Sequence, residues 1–419
     1  MQNTPNQAVS EQDILSLFTG ANPDIVASPF AVLAQLRAQG AVIPLPFPLG
    51  EQRVWAITRM KEVVQMLKDH AHFTVDPSSI GVAHLFGRNT ASASDAPTFF
   101  TSKTMLTVDE PDHRRLRLLV SKAFTPKYIE GLRPRVQEIA DTLLDRVQAQ
   151  GQMDVVQDYA LPLPINVIAE MLGVPQADWP HIRKWSDTLA HGLGVGKRDP
   201  EVEENMRAFG EYTARLVAHK RQHPADDLIS HMITIEEEGD RLNEAELLST
   251  ITLLIFAGHE TTSNLIATGT LMLLDHPEQL AKLKADLNLV PSAVEELLRF
   301  NGPATIAGPR FATEDIELGG QQIKKGDVLF PILLSANWDE SQFTDPEELD
   351  IARTLNRHVA FGQGIHTCLG APLARLEGSI AFTTLLQRFP NLRLNTPREN
   401  IVWNFSLNSR SLAALPVAW

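Results

Sequence analysis

Between Leu247 and Leu274 apolar side chains cover nearly every helical face, and the run breaks only at its middle, at Ala257-Gly-His-Glu-Thr-Thr262. Just ahead, Asn243-Glu-Ala-Glu246 is an Asx-x-x-Glu variant of the capping box. The pattern therefore predicts a helix that opens there and runs to about Asp275. Some thirty residues at ~1.5 Å each span about 45 Å, enough to cross a domain. A helix apolar all round is a buried helix. Gly258 weakens it, and threonine hydroxyls bond to carbonyls one turn back, so a local bulge is expected at the break. Glu260 beside Thr261 in such a setting is costly without a role or firm partners. A satisfied polar cluster bridging helices and a functional pair both answer that cost.

The rest of the chain reads as mostly helical with a small sheet. The first forty residues have helical character, interrupted at Pro23 and Pro29. Ala41 to Arg59 alternates and carries Val54-Trp-Ala-Ile-Thr58, a strand signal. Ile316 to Leu333 places Gly319-Gly320 between two alternating runs, which predicts a hairpin. Ser78 to Lys103 is rich in Gly, Ser, Thr and Pro, holds Phe86, Phe99 and Phe100, and reads as a long loop of the kind that often serves as a lid. From Asp112 onward helices dominate. No linker or internal repeat divides the sequence. The expectation is a mainly α (α+β) fold over a single domain, 1–419, with a β-rich lobe from about 41–60 and 310–335.

Composition narrows the function. With 419 residues, 43% of them hydrophobic, the chain can build an extensive core and an enclosed cavity. A net charge of -14 argues against nucleic acid as partner. The opening MQNTPNQAVSEQDI lacks the basic and apolar regions of a signal peptide. The most apolar stretch carries His259, Glu260 and Asn264 at its centre, which suits no membrane span. A soluble, cytoplasmic protein is expected.

The one cysteine, Cys368, lies in Phe361-Gly-Gln-Gly-Ile-His-Thr-Cys-Leu-Gly-Ala-Pro-Leu-Ala-Arg375. A free cysteine is commonly inert packing. Here Gly362, Gly364 and Gly370 surround it, and glycine lets backbone approach a flat ligand closely. Ala371 to Arg375 opens a helix, with Pro372 tolerated in its first turn. A thiolate offered from such a loop suits a soft metal centre bound from one side.

The pattern FGxGxHxCxGxxLAR resembles the haem-ligand loop of the cytochrome P-450 family at every fixed position, with Phe361 and Gly370 among them. The resemblance runs from about residue 100 to the end of the sequence, and it is to the soluble bacterial type. It implies that Cys368 ligates the iron of haem b, where thiolate donation favours O–O cleavage. It implies that Gly258, Glu260 and Thr261 match the AGxET stretch of the distal helix over the haem, with Glu260 and Thr261 delivering protons and His259 turned away. Glu296 and Arg299 match the ExxR signature, a structural network whose later arginine is Arg353. Leu349 stands where the family commonly has an aromatic residue. His113, Arg117, Arg310 and His366 match the groups that grip the haem propionates.

The resemblance also implies a reaction and its partners. One atom of O2 enters an apolar substrate and the other leaves as water. The sequence shows no flavin domain and no ferredoxin cysteines, so electrons from NAD(P)H are expected through a separate ferredoxin and ferredoxin reductase, with the donor docking on the proximal face. Arg114, Arg115 and Lys122 are candidates for that face, and a solvated helix face is the plainer alternative. A monomer is expected. A peroxide-driven haem-thiolate peroxygenase and a non-enzymatic haem sensor are the rival readings. The substrate wall is expected from Phe86, Phe99, Phe100, the segment His191 to Gly196, Leu253, Ala257, Thr305, Ile306, Ser406 and Leu407. It is apolar with scattered hydroxyls, which suits a fatty acid, steroid, terpenoid, flavonoid or macrolide.

Overall fold

In a computed structural model of the protein, residues 10–81, 103–121, 124–192, 200–234 and 243–419 are described. The helix Glu244–Asp275 forms the axis of the fold. Its start is fixed as the sequence predicts: the Asn243 side chain accepts from the Glu246 amide at 2.9 Å, and the Glu246 carboxylate accepts from the Asn243 amide at 3.1 Å. The helices Pro162–Met171, Pro200–Gln222, Val290–Asn301 and Ala371–Arg388 all pack against it. That surround explains why it is apolar on every face. The expected bulge at Gly258 does not form, and the helix runs unbroken. Gly258 instead admits a close neighbour, since a Cβ there would lie 2.9 Å from Ile168.

The β-rich lobe is a five-stranded sheet in the order Val42–Pro44, Val54–Ile57, Val328–Pro331, Arg310–Ala312, Phe73–Thr74. Val54–Ile57 and Val328–Pro331 pair in parallel, the other neighbours antiparallel. The amphipathic helix Met60–Lys68 closes one face of it through Met60, Val63, Met66 and Leu67. The predicted hairpin joins Ile316–Leu318 to Gln321–Ile323, with Gly319 and Gly320 at φ 55° and 79°. Those left-handed angles are why two glycines stand there.

Beyond the expected lobe lie the hairpin Trp403–Phe405/Arg410–Leu412 and the sheet Gln152–Asp154, Pro416–Ala418, Arg393–Leu394. Strands of two or three residues leave no alternation to read.

A buried ion-pair network anchors the segment leading to Cys368. Arg299 Nε and Nη2 donate to the two Glu296 oxygens at 2.8 Å each, and both side chains are fully buried. Arg299 also donates to the carbonyls of Asn337, Pro346 and Glu348. Glu296 accepts from the Asp350 amide, from Arg353 Nε and from Asn356 Nδ2. The chain from Asn337 to Asn356 is thus tied to one helix. Asn337 Oδ1 in turn accepts from the Val359 amide at 2.8 Å, two residues before the cysteine loop begins. Leu349, where an aromatic is common in the family, is buried, and Phe343 supplies a ring 5.3 Å from the Arg299 guanidinium.

Candidate active site

The cysteine loop is rigid for local reasons. The Cys368 amide donates to Phe361 O at 2.9 Å, and the Thr367 amide to Gly364 O at 3.1 Å. Gly362 and Gly364 hold φ of 68° and 75°, and a Cβ on Gly364 would meet Leu67 O at 2.2 Å. Those two positions therefore require glycine. Gly370 caps the helix Ala371–Arg388, and its amide and that of Ala371 point at the sulfur. The Cys368 side chain has an open side, yet protein crowds it closely enough that burial pushes the thiol pKa up. The Gly370 amide, Arg117, the Ala371 amide and Arg375 act the other way and favour thiolate. Arg375 lies over the Phe361 ring and is held by Glu295 at 2.6 and 2.8 Å.

Beside the sulfur lies a set of cationic and donor groups short of partners. Arg117 is close enough for its charge and that of Cys368 to act on each other. His113, one turn away on the helix Asp112–Ser121, is buried, and neither ring nitrogen has a hydrogen-bond partner among the described residues. Its pKa falls to about 4, first through burial, then through the charges of His366 and Arg117. The His113 and His366 rings lie 4.3 Å apart. His366 Nδ1 faces Met105 O at 3.1 Å, while Nε2 stands 3.6 Å from Asp109. Arg310 is buried with only the carbonyls of Gly308 and Pro309 as acceptors. Burial lowers it to about 10, and Asp109 opposes that. Asp109, a residue the sequence reading gave no role, is thus the pivot of the cluster. Thr74 and the Val75 amide hold its other oxygen.

Across the fold, the central helix shows one accessible stripe. Leu253 is buried, but Ala257 and Thr261, one and two turns on, are exposed within a helix buried almost throughout. Thr261 Oγ1 reaches Ala257 O only at 3.4 Å. By contrast Ser249, Thr252, Ser263, Thr268 and Thr270 bond to carbonyls one turn back at 2.6 to 2.9 Å. The Thr261 hydroxyl is the loosely held one. Thr262 is buried, against the fully buried Glu377 of the helix Ala371–Arg388. Glu260 Oε1 accepts from Ser409 Oγ at 3.0 Å. His259 is buried and bonds Ile255 O through Nδ1 at 2.9 Å.

The Cytochrome P450 family profile matches residues 198–409, half of the chain. Cytochrome P450 CYP107DY1 of Priestia megaterium is 53% identical over 75% of this chain and 76% of its own length. The polyketide biosynthesis cytochrome P450 PksS of Bacillus subtilis is 40% identical over 93% of this chain and 96% of its own. The crystal structure of myxobacterial cytochrome P450 CYP267B1 in complex with myristic acid superposes with a TM-score of 0.87. That match is at 41% identity and covers 95% of this chain and 98% of the other. The chain belongs to the cytochrome P450 family.

As a P450 it is a haem-thiolate monooxygenase, and its residues fit haem. The thiol opens to one side of a glycine loop. The unpartnered nitrogens of His113 and His366 offer hydrogen-bonding groups, and together with the charges of Arg310 and Arg117 they suit two buried carboxylates. Among the described residues no three His, Cys, Asp or Glu side chains gather as a metal site. Also among the described residues, no helix is long and apolar enough to cross a membrane.

The expected substrate wall divides. Thr305, Ile306, Ser406 and Leu407 line one cavity, in which Thr305 Oγ1 donates to Leu407 O at 3.1 Å. Its far wall is Leu17, Phe18, Leu33 and Leu36 of the N-terminal helices, which the sequence reading did not include. Leu253 and Ala257 lie on the central helix and do not line this cavity. Phe86, Phe99 and Phe100 lie outside the described residues, as do residues 193–196; His191 and Gly192 end the helix Trp179–Gly192.

One docking candidate is corrected. Arg115 is committed inward to Glu246, at 2.6 and 3.0 Å, where it braces the start of the central helix. Arg114 is exposed, and Lys122 lies outside the described residues.

Proposed function

We propose that the protein hydroxylates or epoxidises an apolar, carbon-rich substrate of polyketide or long-chain fatty-acid type, at haem b ligated by Cys368. The observation that carries this is the Cys368 loop beside a patch made of the buried His113 and Arg310 and the half-buried Arg117 and His366. Bound there, haem supplies the O2 activation. The chain supplies the rest. Cys368 donates its thiolate, and the two arginines and two histidines receive the propionates. The exposed stripe of Ala257 and Thr261 meets the substrate and O2, and the loosely held Thr261 hydroxyl orients a proton donor. Glu260, half-buried on the same turn, carries protons toward it. Glu296, Arg299 and Arg353 hold the architecture and carry no chemistry.

The substrate class is supported by two relatives: one is named for polyketide biosynthesis and another was crystallised with myristic acid. It is supported too by the apolar character of the cavity wall. Electrons come from a ferredoxin and an NAD(P)H-dependent reductase, the donor docking on the proximal face with the exposed Arg114 among its contacts. The whole chain acts as one domain and one monomer, in the cytoplasm.

Two measurements test this. Cys368→Ser should lose the red-shifted Soret band of the ferrous-CO complex together with oxygenation, because an alcohol does not replace thiolate donation. A screen of fatty acids and macrolides should then give a low-to-high-spin haem shift in the wild type. Retention of the band in Cys368→Ser would refute the ligand, and a spin shift confined to polar, charged compounds would refute the substrate class.

A further inference from the structure

We propose that Ser409 is a positioning residue for proton delivery: its hydroxyl holds the Glu260 carboxylate and connects it to the cavity between the N-terminal helices and the C-terminal hairpin. This rests on the reading of Glu260 as a proton relay given above. Ser409 Oγ donates to Glu260 Oε1 at 3.0 Å, across 149 residues of sequence. The hydroxyl is delivered by fixed backbone. Ser409 forms a bridge with Ala304, and the Arg410 amide donates to Pro303 O at 2.9 Å. Arg410 is itself buried and grips Asn301 Oδ1 and the carbonyls of Val26 and Ala27. Its guanidinium lies 4.2 Å from the centre of the Trp403 ring. Such support on both sides holds a side chain to one geometry.

Ser409 has the chemistry of a link. A hydroxyl donates one hydrogen bond and accepts two. Its proton is directed at Glu260, so its lone pairs remain for a donor on the other side. Ser409 also lines the cavity, together with Ser16, Thr305, Asn404 and Ser406, whereas Glu260 is not among its lining residues. These few groups keep acceptor capacity for a water within an otherwise apolar cavity, since Ser16 and Thr305 already donate to Gln12 O and Leu407 O. In one transfer the serine O–H passes its proton to the Glu260 carboxylate and takes another from the cavity side. One proton moves inward, the serine is unchanged, and no electron moves.

The test compares Ser409→Ala, Ser409→Thr and Glu260→Gln in haem-loaded enzyme with its redox partners. Ser409→Ala should keep haem content, the CO band and substrate Kd. Product per NAD(P)H should fall by about tenfold or more, the effect of one hydrogen bond to a charged group. The solvent isotope effect on product formation should rise, and Ser409→Thr should restore both. Independently of turnover, the infrared carboxylate band that Glu260→Gln removes should shift in Ser409→Ala. If Glu260→Gln uncouples while Ser409→Ala couples normally and leaves the band in place, the Ser409 inference fails and the Glu260 reading stands. If Glu260→Gln couples normally, both fall. Should Ser409→Ala not load haem, Ser409→Cys, near in size with a weak donor, is read in the same way.

Discussion

Arg353 and Glu296 stand 57 residues apart in sequence, and Arg353 Nε donates to both Glu296 oxygens at 3.1 Å. Glu296 is fully buried and shared with Arg299, so one carboxylate serves two guanidiniums. Removing one partner of such a group strands a buried charge, at a cost of about 3–5 kcal/mol. Glu296→Ala or Arg299→Ala should therefore give little haem-loaded protein. Yield and haem-to-protein ratio are the readouts. A well-folded, haem-loaded variant with slower turnover would place the network in the chemistry instead.

Arg310→Leu and Arg117→Leu test the cationic patch. Arg310 is buried with only two backbone carbonyls as acceptors, which is costly unless an anion joins it. Each variant should lose haem to an apo-globin acceptor several times faster, by about 1 kcal/mol or more for one charge-assisted bond. Unchanged transfer in both would remove the propionate contacts.

Glu295 gives a pH dependence with a definite sign. Burial raises its pKa, but Arg375, then His358, outweigh that and bring it to about 2. The folded value is below the ordinary 4.5, so its stabilising effect is fully present above pH 4.5. It fades as pH falls from there through about 2. In Glu295→Gln the urea midpoint should be lower than wild type at pH 7, and the difference should shrink below pH 4.5. A gap that stays constant down to pH 3 would show that the ion pair with Arg375 contributes nothing.

What the sequence disclosed and what it hid follow from range. The central helix was legible because cap, period and length agree: Asn243, the apolar run and Asp275 all appear where the pattern puts them. The hairpin at Gly319-Gly320 needed left-handed backbone, and glycine announces that locally. The approach of His113 to His366 spans some 250 residues and leaves no local trace; only the family pattern placed both residues. Ser409 and Glu377 leave no local trace for the same reason, since a lone hydroxyl or acid looks like any solvated group. The pairing of Arg115 with Glu246 spans 131 residues and leaves no local trace either. The bulge at Gly258 is expected from glycine and from threonine hydroxyls bonding one turn back, and packing against Ile168 supplies a different reason for the glycine.

Thr261→Ala should uncouple the enzyme while leaving its architecture intact. Thr261 is exposed on a buried helix, and its bond to Ala257 O is long at 3.4 Å, so loss of the hydroxyl costs the helix little. The neighbouring Thr262 is buried against Glu377 and is not placed to substitute for it. Oxygen cleavage needs protons delivered in a cavity that otherwise excludes water, and a hydroxyl beside Glu260 can hold a donor in line. Without it, reducing equivalents should leave as H2O2. Substrate binding and haem reduction should be unchanged, NAD(P)H consumption should continue, and product per NAD(P)H should fall by about tenfold or more, within the range for a positioned proton donor. The paired assay is peroxide released against product formed. Normal coupling in Thr261→Ala would move the donor's role to the substrate's own hydroxyl or to another residue, and would leave the exposed stripe on the central helix as a steric wall.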